Sequence, residues 1–181
     1  MPSWGRIARR IRVPLGFVFA AVYIWLARPT ALSIAIGSII ACGGLFIRAL
    51  ASGHVKKNEM LTVTGPYAYT RNPLYLGSIV LACGFIVAAR SWWIALIAVA
   101  MLVAIYFPVI SSEEAFLRAQ FTDYDEYSSR VPRLLPRWRA YQHTSGSFSR
   151  QLYWKHREYN AAMGTALMIG VLIAKLVVLG K

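Results

Sequence analysis

Acidic residues are scarce in this 181-residue chain: seven Asp and Glu stand against twenty Lys and Arg, and all four types together make only 15% of it. A soluble domain carries roughly a quarter charged residues. That shortage, with 57% hydrophobic residues, excludes an ordinary water-soluble domain and reads as an integral membrane protein. The basic surplus, formally +13, is what Lys and Arg give when they flank membrane spans and meet anionic lipid. It sets a nucleic-acid partner aside. Cysteine is as sparse. Cys42 and Cys83 lie inside apolar runs without CxxC spacing, so they read as small core residues, neither a disulfide nor a metal pair. The three histidines, His54, His143 and His156, show no HExxH-like spacing, and no metal ligand set is expected. There is no internal repeat and no low-complexity linker between domains.

What the chain has is apolar stretches, and they predict an all-α membrane bundle with about five transmembrane helices. Residues 1–13 place Arg6, Arg9, Arg10 and Arg12 between Trp4, Ile7 and Ile11, the pattern of an interfacial helix. A basic head before a short apolar run also fits a signal peptide, but Trp25 and Arg28 make a poor cleavage site and another span follows at once. Residues 14–27 are therefore the first span. The second covers 30–51, rich in small residues that permit close helix approach, with Arg48 snorkelling near its end. A polar loop occupies 52–73. The third span, about 74–89, is shorter than the ~20 residues a bilayer asks for. A turn at Arg90-Ser91 then gives a hairpin with the fourth, 92–110, which Pro108 is expected to kink or end. Two short helices, about 112–128 and about 148–160, are expected around a Pro-containing connection, with Gln142–Ser149 as a flexible Ser/Gly-rich joint. The fifth span is 161–179. The chain is one membrane domain: amino-terminal helices in 1–51, a core with the hairpin in 52–139, and an interfacial helix plus the last span in 140–181.

With the amino terminus inside, sixteen of the twenty Lys and Arg fall on the cytoplasmic side, which satisfies the positive-inside rule. The polar regions 52–73 and 111–160 then share that side and form one pocket facing the cytosol.

Within 52–73, the stretch from Thr64 to Gly77 carries two prolines, three tyrosines and an arginine where the chain re-enters lipid. Irregular backbone there needs protein, water or a ligand to satisfy its polar groups. Gly65-Pro66 and Asn72-Pro73 fix a folded backbone. Asn72 is placed to cap the third helix and leave its first amides for a ligand. Arg71 reads either as a snorkelling charge or as a fork for a carboxylate or phosphate. Tyr67, Tyr69 and Tyr75 read as interfacial belt residues or as a wall for a flat heterocycle or cation. Across the hairpin, Ser111-Ser112-Glu113-Glu114 is a capping-box pattern with Ser111 as cap and Glu114 reaching back. Glu114 also stands one turn before Arg118, so Glu113 is the glutamate with less structural explanation.

The run Leu61-Thr62-Val63-Thr64-Gly65-Pro66-Tyr67-Ala68-Tyr69-Thr70-Arg71-Asn72-Pro73-Leu74-Tyr75-Leu76-Gly77 resembles the signature of the isoprenylcysteine carboxyl methyltransferase family, which belongs with the phospholipid N-methyltransferases. Glu113-Glu114-Ala115-Phe116-Leu117 through Phe121, Tyr124, Tyr127, Val131-Pro132-Arg133 and Leu135-Pro136 is similar to its carboxy-terminal signature. The resemblance covers roughly 55–138 and implies a prokaryotic membrane methyltransferase in a bacterial or archaeal plasma membrane. S-adenosylmethionine would bind between the two blocks, and a lipid-like or prenylated acceptor would enter from the bilayer.

Carried onto this chain, the resemblance has Leu61 and Thr62 offer backbone contacts to the cofactor. Gly65, Tyr67, Asn72, Pro73 and Tyr75 join the pocket, and Glu113 or Glu114 holds the cofactor. Arg71 sits at a carboxylate of the cofactor or at the acceptor. Arg71, Glu113 and Glu114 are the catalytic candidates. The sequence departs from the family in having Asn72 where His is common, and in lacking an arginine within Phe107–Ile110, where the enzymes acting on prenylcysteine carry one. Methyl transfer from a sulfonium is an in-line displacement, in which a carboxylate acceptor needs no general base and an amine must arrive neutral; positioning and desolvation supply most of the rate. Two other readings stand beside it. One is a sterol-reductase-type membrane enzyme using NADPH, whose carboxy-terminal signature is distantly similar; the other is a scaffold without activity.

Overall fold

The computed structural model describes residues 4–56, 59–141 and 146–179, of which 4–13 and 179 are described by their backbone alone. Among them the chain is all-helical. The elements are α1 (Trp4–Leu26), α2 (Ala31–His54), a short 3-10 turn (Gly65–Ala68), α3 (Pro73–Ala89), α4 (Trp92–Met101), a π turn (Leu102–Tyr106), α5 (Phe107–Gln120), α6 (Tyr124–Arg130), α7 (Arg150–Lys155) and α8 (Tyr159–Leu179). Three helical stretches, Ala31–His54, Trp92–Gln120 and Tyr159–Val178, are long and apolar enough to cross a membrane. Pro14–Leu26 and Pro73–Ala89 are shorter apolar helices. At 17 residues, α3 is about 26 Å long at 1.5 Å per residue, under the ~30 Å of hydrocarbon.

Several boundaries differ from those the sequence suggests. The expected break between 13 and 14 is absent, because Pro14 sits inside a continuous α1. It removes one helical hydrogen bond without ending the helix. Helix α2 continues past 51 to His54, whose Nδ1 lies 2.7 Å from the Leu50 carbonyl. Pro108 does not end its helix either. The path from Trp92 to Gln120 is unbroken, and the wide π turn at Leu102–Tyr106 lies just before the proline, where a wider turn relieves the clash of its ring with the preceding carbonyls. The predicted helix over 112–128 is split at Phe121–Asp123 into α5 and α6. That over 148–160 is α7, capped by Ser149 accepting from the Leu152 N–H at 3.3 Å, then a break at His156–Glu158 before α8. Of the expected joint, 142–145 lies outside the described residues. The rest is held: the Ser149 N–H donates to the Gly53 carbonyl at 2.9 Å, and Phe148 packs edge-on against His54.

Helices α2 and α3 form the most extensive helix pair, and their glycines explain it. A Cβ on Gly37 would stand 2.5 Å from the Gly84 carbonyl, and one on Gly44 would stand 2.7 Å from that of Gly77. The backbones therefore touch, as small-residue membrane interfaces allow. Gly84→Val is expected to destabilise the protein by about 2 kcal/mol, because overpacking forces the backbones apart. Gly43→Ala, whose Cβ meets nothing within 4 Å, is expected to stay within about 0.5 kcal/mol. Thermal unfolding in detergent reads both.

One end of the bundle is packed shut. Tyr23, Ala27, Ile34, Ala88, Ala89, Ile94 and Leu172 bury one another there. The Tyr23 hydroxyl donates to the Phe85 carbonyl at 2.8 Å, the Arg28 N–H to that of Ala89 at 2.8 Å, and Lys175 of α8 reaches the last carbonyls of α1. The opposite end is where the irregular segments meet.

Candidate active site

The loop from Val55 to Asn72 is built by local chemistry. Gly65 opens the 3-10 turn at φ +58, and a Cβ there would run into the His54 ring; only glycine takes that conformation without strain. The turn then lies along the segment after α6. The Arg71 N–H donates to the Pro132 carbonyl (2.9 Å), the Arg137 N–H to that of Tyr69 (3.0 Å) and the Tyr141 N–H to that of Ala68 (2.9 Å). The Thr70 hydroxyl donates to the Leu134 carbonyl (3.0 Å) and the Tyr127 hydroxyl to that of Tyr67 (2.7 Å). Sequence blocks sixty residues apart are thus joined as one unit.

Glu114 is its electrostatic centre. Its Oε1 accepts from Asn72 Nδ2 at 3.1 Å and lies 3.6 Å from Arg71, while its Oε2 accepts from both Nε (3.0 Å) and a terminal nitrogen (2.6 Å) of Arg133. Asn72 Nδ2 also donates to the Arg133 carbonyl at 3.0 Å, and Arg133 reaches the Ser111 hydroxyl at 3.3 Å. These contacts overturn three local expectations. Asn72 makes no side-chain cap on α3, because its amide is spent on Glu114 and Arg133. The Ser111–Glu114 capping box does not form, since α5 runs through that position and Glu114 turns to the two arginines. Arg118 pairs instead with Asp125 at 2.6 Å.

These groups border a cavity of about 1030 Å³. Of the residues singled out in the sequence, Leu61, Thr62, Tyr67, Arg71, Asn72, Tyr75, Glu113 and Glu114 line it. Gly65 and Pro73 are not among its lining residues; they shape the backbone behind it, Pro73 buried in the first turn of α3. Tyr75 meets Tyr106 edge-on at 5.3 Å between ring centroids. Burial raises the Tyr67 phenol far above its ordinary value, with Tyr127 and the Glu113 carboxylate adding to it, so Tyr67 is a neutral wall. Away from the loop the lining turns apolar: Gly16 and Phe19 of α1, Ala82 of α3, Ala98 and Met101 of α4, and Leu102 and Ile105 of the π turn. One cavity therefore joins charged loop residues to a tract between apolar helices.

Sequence reasoning missed two partners of this site. Arg133 was visible only as part of a motif, with no signal for its pairing with Glu114. Arg48 does not snorkel: it donates to both oxygens of Glu158 (2.8–3.0 Å) and to the Ser78 hydroxyl, and all three residues line the cavity. Glu158 is 110 positions further along the chain, in the α7–α8 break where Arg157 adopts φ +54, and no spacing rule links them. Among the described residues, no group of three or more His, Cys, Asp or Glu gathers as a metal ion would require.

An apolar helical bundle with three helices long enough to cross a membrane defines a membrane protein, and its sequence places it further. The chain belongs to the phospholipid methyltransferase family, whose model matches residues 12–124. It is 33% identical over 116 residues to the nickel-cobalt-cadmium resistance protein NccN of Alcaligenes xylosoxydans xylosoxydans, covering 61% of this chain and 54% of that protein. It is 30% identical over 105 residues to the cobalt-zinc-cadmium resistance protein CzcN of Cupriavidus metallidurans, covering 58% and 48% respectively. It is also 30% identical over 100 residues to protein-S-isoprenylcysteine O-methyltransferase of Schizosaccharomyces pombe, covering 55% and 42%. The chain thus spans about half the length of these curated relatives. No solved structure matches it.

Proposed function

We propose that this protein is an S-adenosylmethionine-dependent methyltransferase of a bacterial or archaeal plasma membrane, acting on a lipid-like or prenylated acceptor drawn from the bilayer. The observation that carries this is the continuous cavity, with Arg71, Asn72, Glu113 and Glu114 at one end and apolar residues of α1, α3 and α4 at the other. Its size is at the top of the ~300–1,000 Å³ range of small-molecule pockets, consistent with a polar cosubstrate and an apolar acceptor side by side. Family membership supports methyl transfer, and the charge asymmetry of the sequence supports a cytoplasmic site and amino terminus.

The residues present suit the cofactor. Arg71 Nε is buried without a hydrogen-bond partner, a donor available to a carboxylate. Glu113 lines the cavity and pairs with no described basic residue, so it is free to take an ammonium or ribose hydroxyls. When bound, S-adenosylmethionine supplies an electrophilic methyl group. The protein's part is to orient both partners and exclude water: Tyr67 and Tyr75 flank the polar end, and the apolar wall keeps the acceptor's tail out of solvent. A carboxylate acceptor needs no base; for an amine, Glu113 is the residue placed to receive its proton. Two of the relatives carry metal-resistance names; a part in metal resistance would run through the molecule being methylated.

Isothermal calorimetry and thermal shift on purified protein test this. S-adenosylmethionine is expected to bind and raise the melting temperature. A shift with NADPH but none with millimolar S-adenosylmethionine would overturn the proposal in favour of a reductase, and no response to either would favour a scaffold. Labelled methyl appearing in a total-lipid extract, as base-labile ester or base-stable amine, then distinguishes O- from N-transfer.

A further inference from the structure

The segment after α6 presents an unusual surface. Trp138 is 100% exposed and Leu135 79% exposed, and the sequence between and beside them, Pro136-Arg137-Trp138-Arg139, is basic. These residues do not hang on a loose tether. The Arg137 N–H is bonded to the Tyr69 carbonyl, its guanidinium donates to the Arg130 carbonyl at 2.8 Å, and the Tyr141 N–H holds the far side at Ala68. Arg130 in turn lies over the Tyr141 ring at 5.9 Å. A rigid backbone therefore projects a tryptophan and a leucine outward between arginines, and no ion pair with a described carboxylate claims Arg137 or Arg139. An indole in that setting has an apolar body and one N–H donor, which suits the region between headgroups and acyl chains. Guanidinium groups on either side suit anionic headgroups. The chain spans a membrane, so such a surface is always within reach.

We propose that Leu135, Trp138, Arg137 and Arg139 form a docking surface for the anionic headgroup layer of the bilayer the chain spans. Because this segment is bonded to residues 68–71, the docking fixes the polar end of the cavity at headgroup depth. Neither the apolar pair nor the arginines suffices alone: the indole and leucine set the depth, and the charges select anionic lipid. The opposite occupant, an acidic protein, would require the same side chains to stay in water when only lipid is present.

The test places an NBD fluorophore on Leu135→Cys in a full-length background with Cys42→Ala and Cys83→Ala, reconstituted in nanodiscs. Discs of phosphatidylcholine alone are compared with discs half phosphatidylglycerol. NBD emission is expected to rise about twofold in the anionic discs and to be quenched by lipids labelled near the headgroup more than by those labelled deep in the chain. Arg137→Gln with Arg139→Gln is expected to remove the difference between the two lipid compositions, and Trp138→Ser to reduce quenching in the anionic discs. Emission that is as accessible to aqueous iodide in anionic as in neutral discs would overturn the proposal, and gain of protection only on adding an acidic protein would assign the surface to that partner instead. Circular dichroism of each variant confirms that the helices are intact before the comparison is made.

Discussion

Glu114→Gln is expected to unfold the site and abolish turnover, with a loss of about 3 kcal/mol in stability. The Glu114 side chain is 10% exposed and stands between Arg71 and Arg133, which are 16% and 32% exposed. Removing one member of a buried pair leaves an uncompensated charge, at about 3–5 kcal/mol; the partial exposure of Arg133 puts this case at the lower end. The amide also fails as a hydrogen-bonding substitute. Its single oxygen can face the Asn72 amide or the Arg133 guanidinium, and either way an N–H₂ group meets another donor. The bonds lost are those that hold the two loop segments together. Glu113→Gln supplies the contrast, because Glu113 is exposed and unpaired among the described residues. Its stability is expected to stay within about 0.5 kcal/mol, while cofactor affinity falls by about tenfold, the worth of one charge-assisted bond. Thermal unfolding and calorimetry on both variants read this directly. Equal stability losses would show that the two glutamates are not divided into structural and ligand-binding roles.

The sequence made that division only partly legible, for a physical reason. Membrane helices announce themselves through apolar runs, so five apolar segments and the α3–α4 hairpin were readable, four of the segments within a few residues. The fourth span, read as 92–110, runs on to Gln120 because the helix continues past its apolar run. The loop at Thr64–Gly77 was readable as a special segment because Pro and Gly restrict the backbone locally. What spacing does not encode is which polar group meets which across the fold. Asn72 and Ser111 carry good capping chemistry, and a local rule assigns them to local amides; the fold offers Glu114 and Arg133 instead, and charge-assisted contacts outcompete neutral caps. Of the two outcomes the sequence allows at Pro108, a kink or an end, the end does not occur, since the rule that proline ends a helix assumes a regular turn before it and here that turn is π. The glycines of α2 and α3 were legible as permitting close approach, but not as bringing the Gly84 carbonyl and the Gly37 Cα into contact.

Arg48 and Glu158 carry the second large effect. The family's model ends at Tyr124, so the wall that Glu158 adds to the cavity comes from a part of the chain outside that match. Arg48→Met and Glu158→Met are each expected to cost about 3 kcal/mol, because each leaves the other ion lining a cavity between helices with no counter-charge. The Glu158 loss should also reach the site. Its carboxylate fixes Arg48, Arg48 holds the Ser78 hydroxyl, and Ser78 sits one turn from Tyr75 on α3. Freed from Glu158, the guanidinium is a mobile cation in the cavity, and binding of S-adenosylmethionine, itself positively charged at sulfur, is expected to weaken several-fold. The double substitution to methionine removes both ions and keeps the volume. It is expected to lose no more than either single methionine variant, since exchanging a whole buried pair for apolar residues is often neutral; against additive losses of about 6 kcal/mol, that is a coupling energy of about 3 kcal/mol or more in the cycle. Melting curves for the four corners of that cycle decide it. Additive losses would mean that the pair is a surface contact, and the carboxy-terminal helices merely lean on the core; strong coupling would make them part of the site.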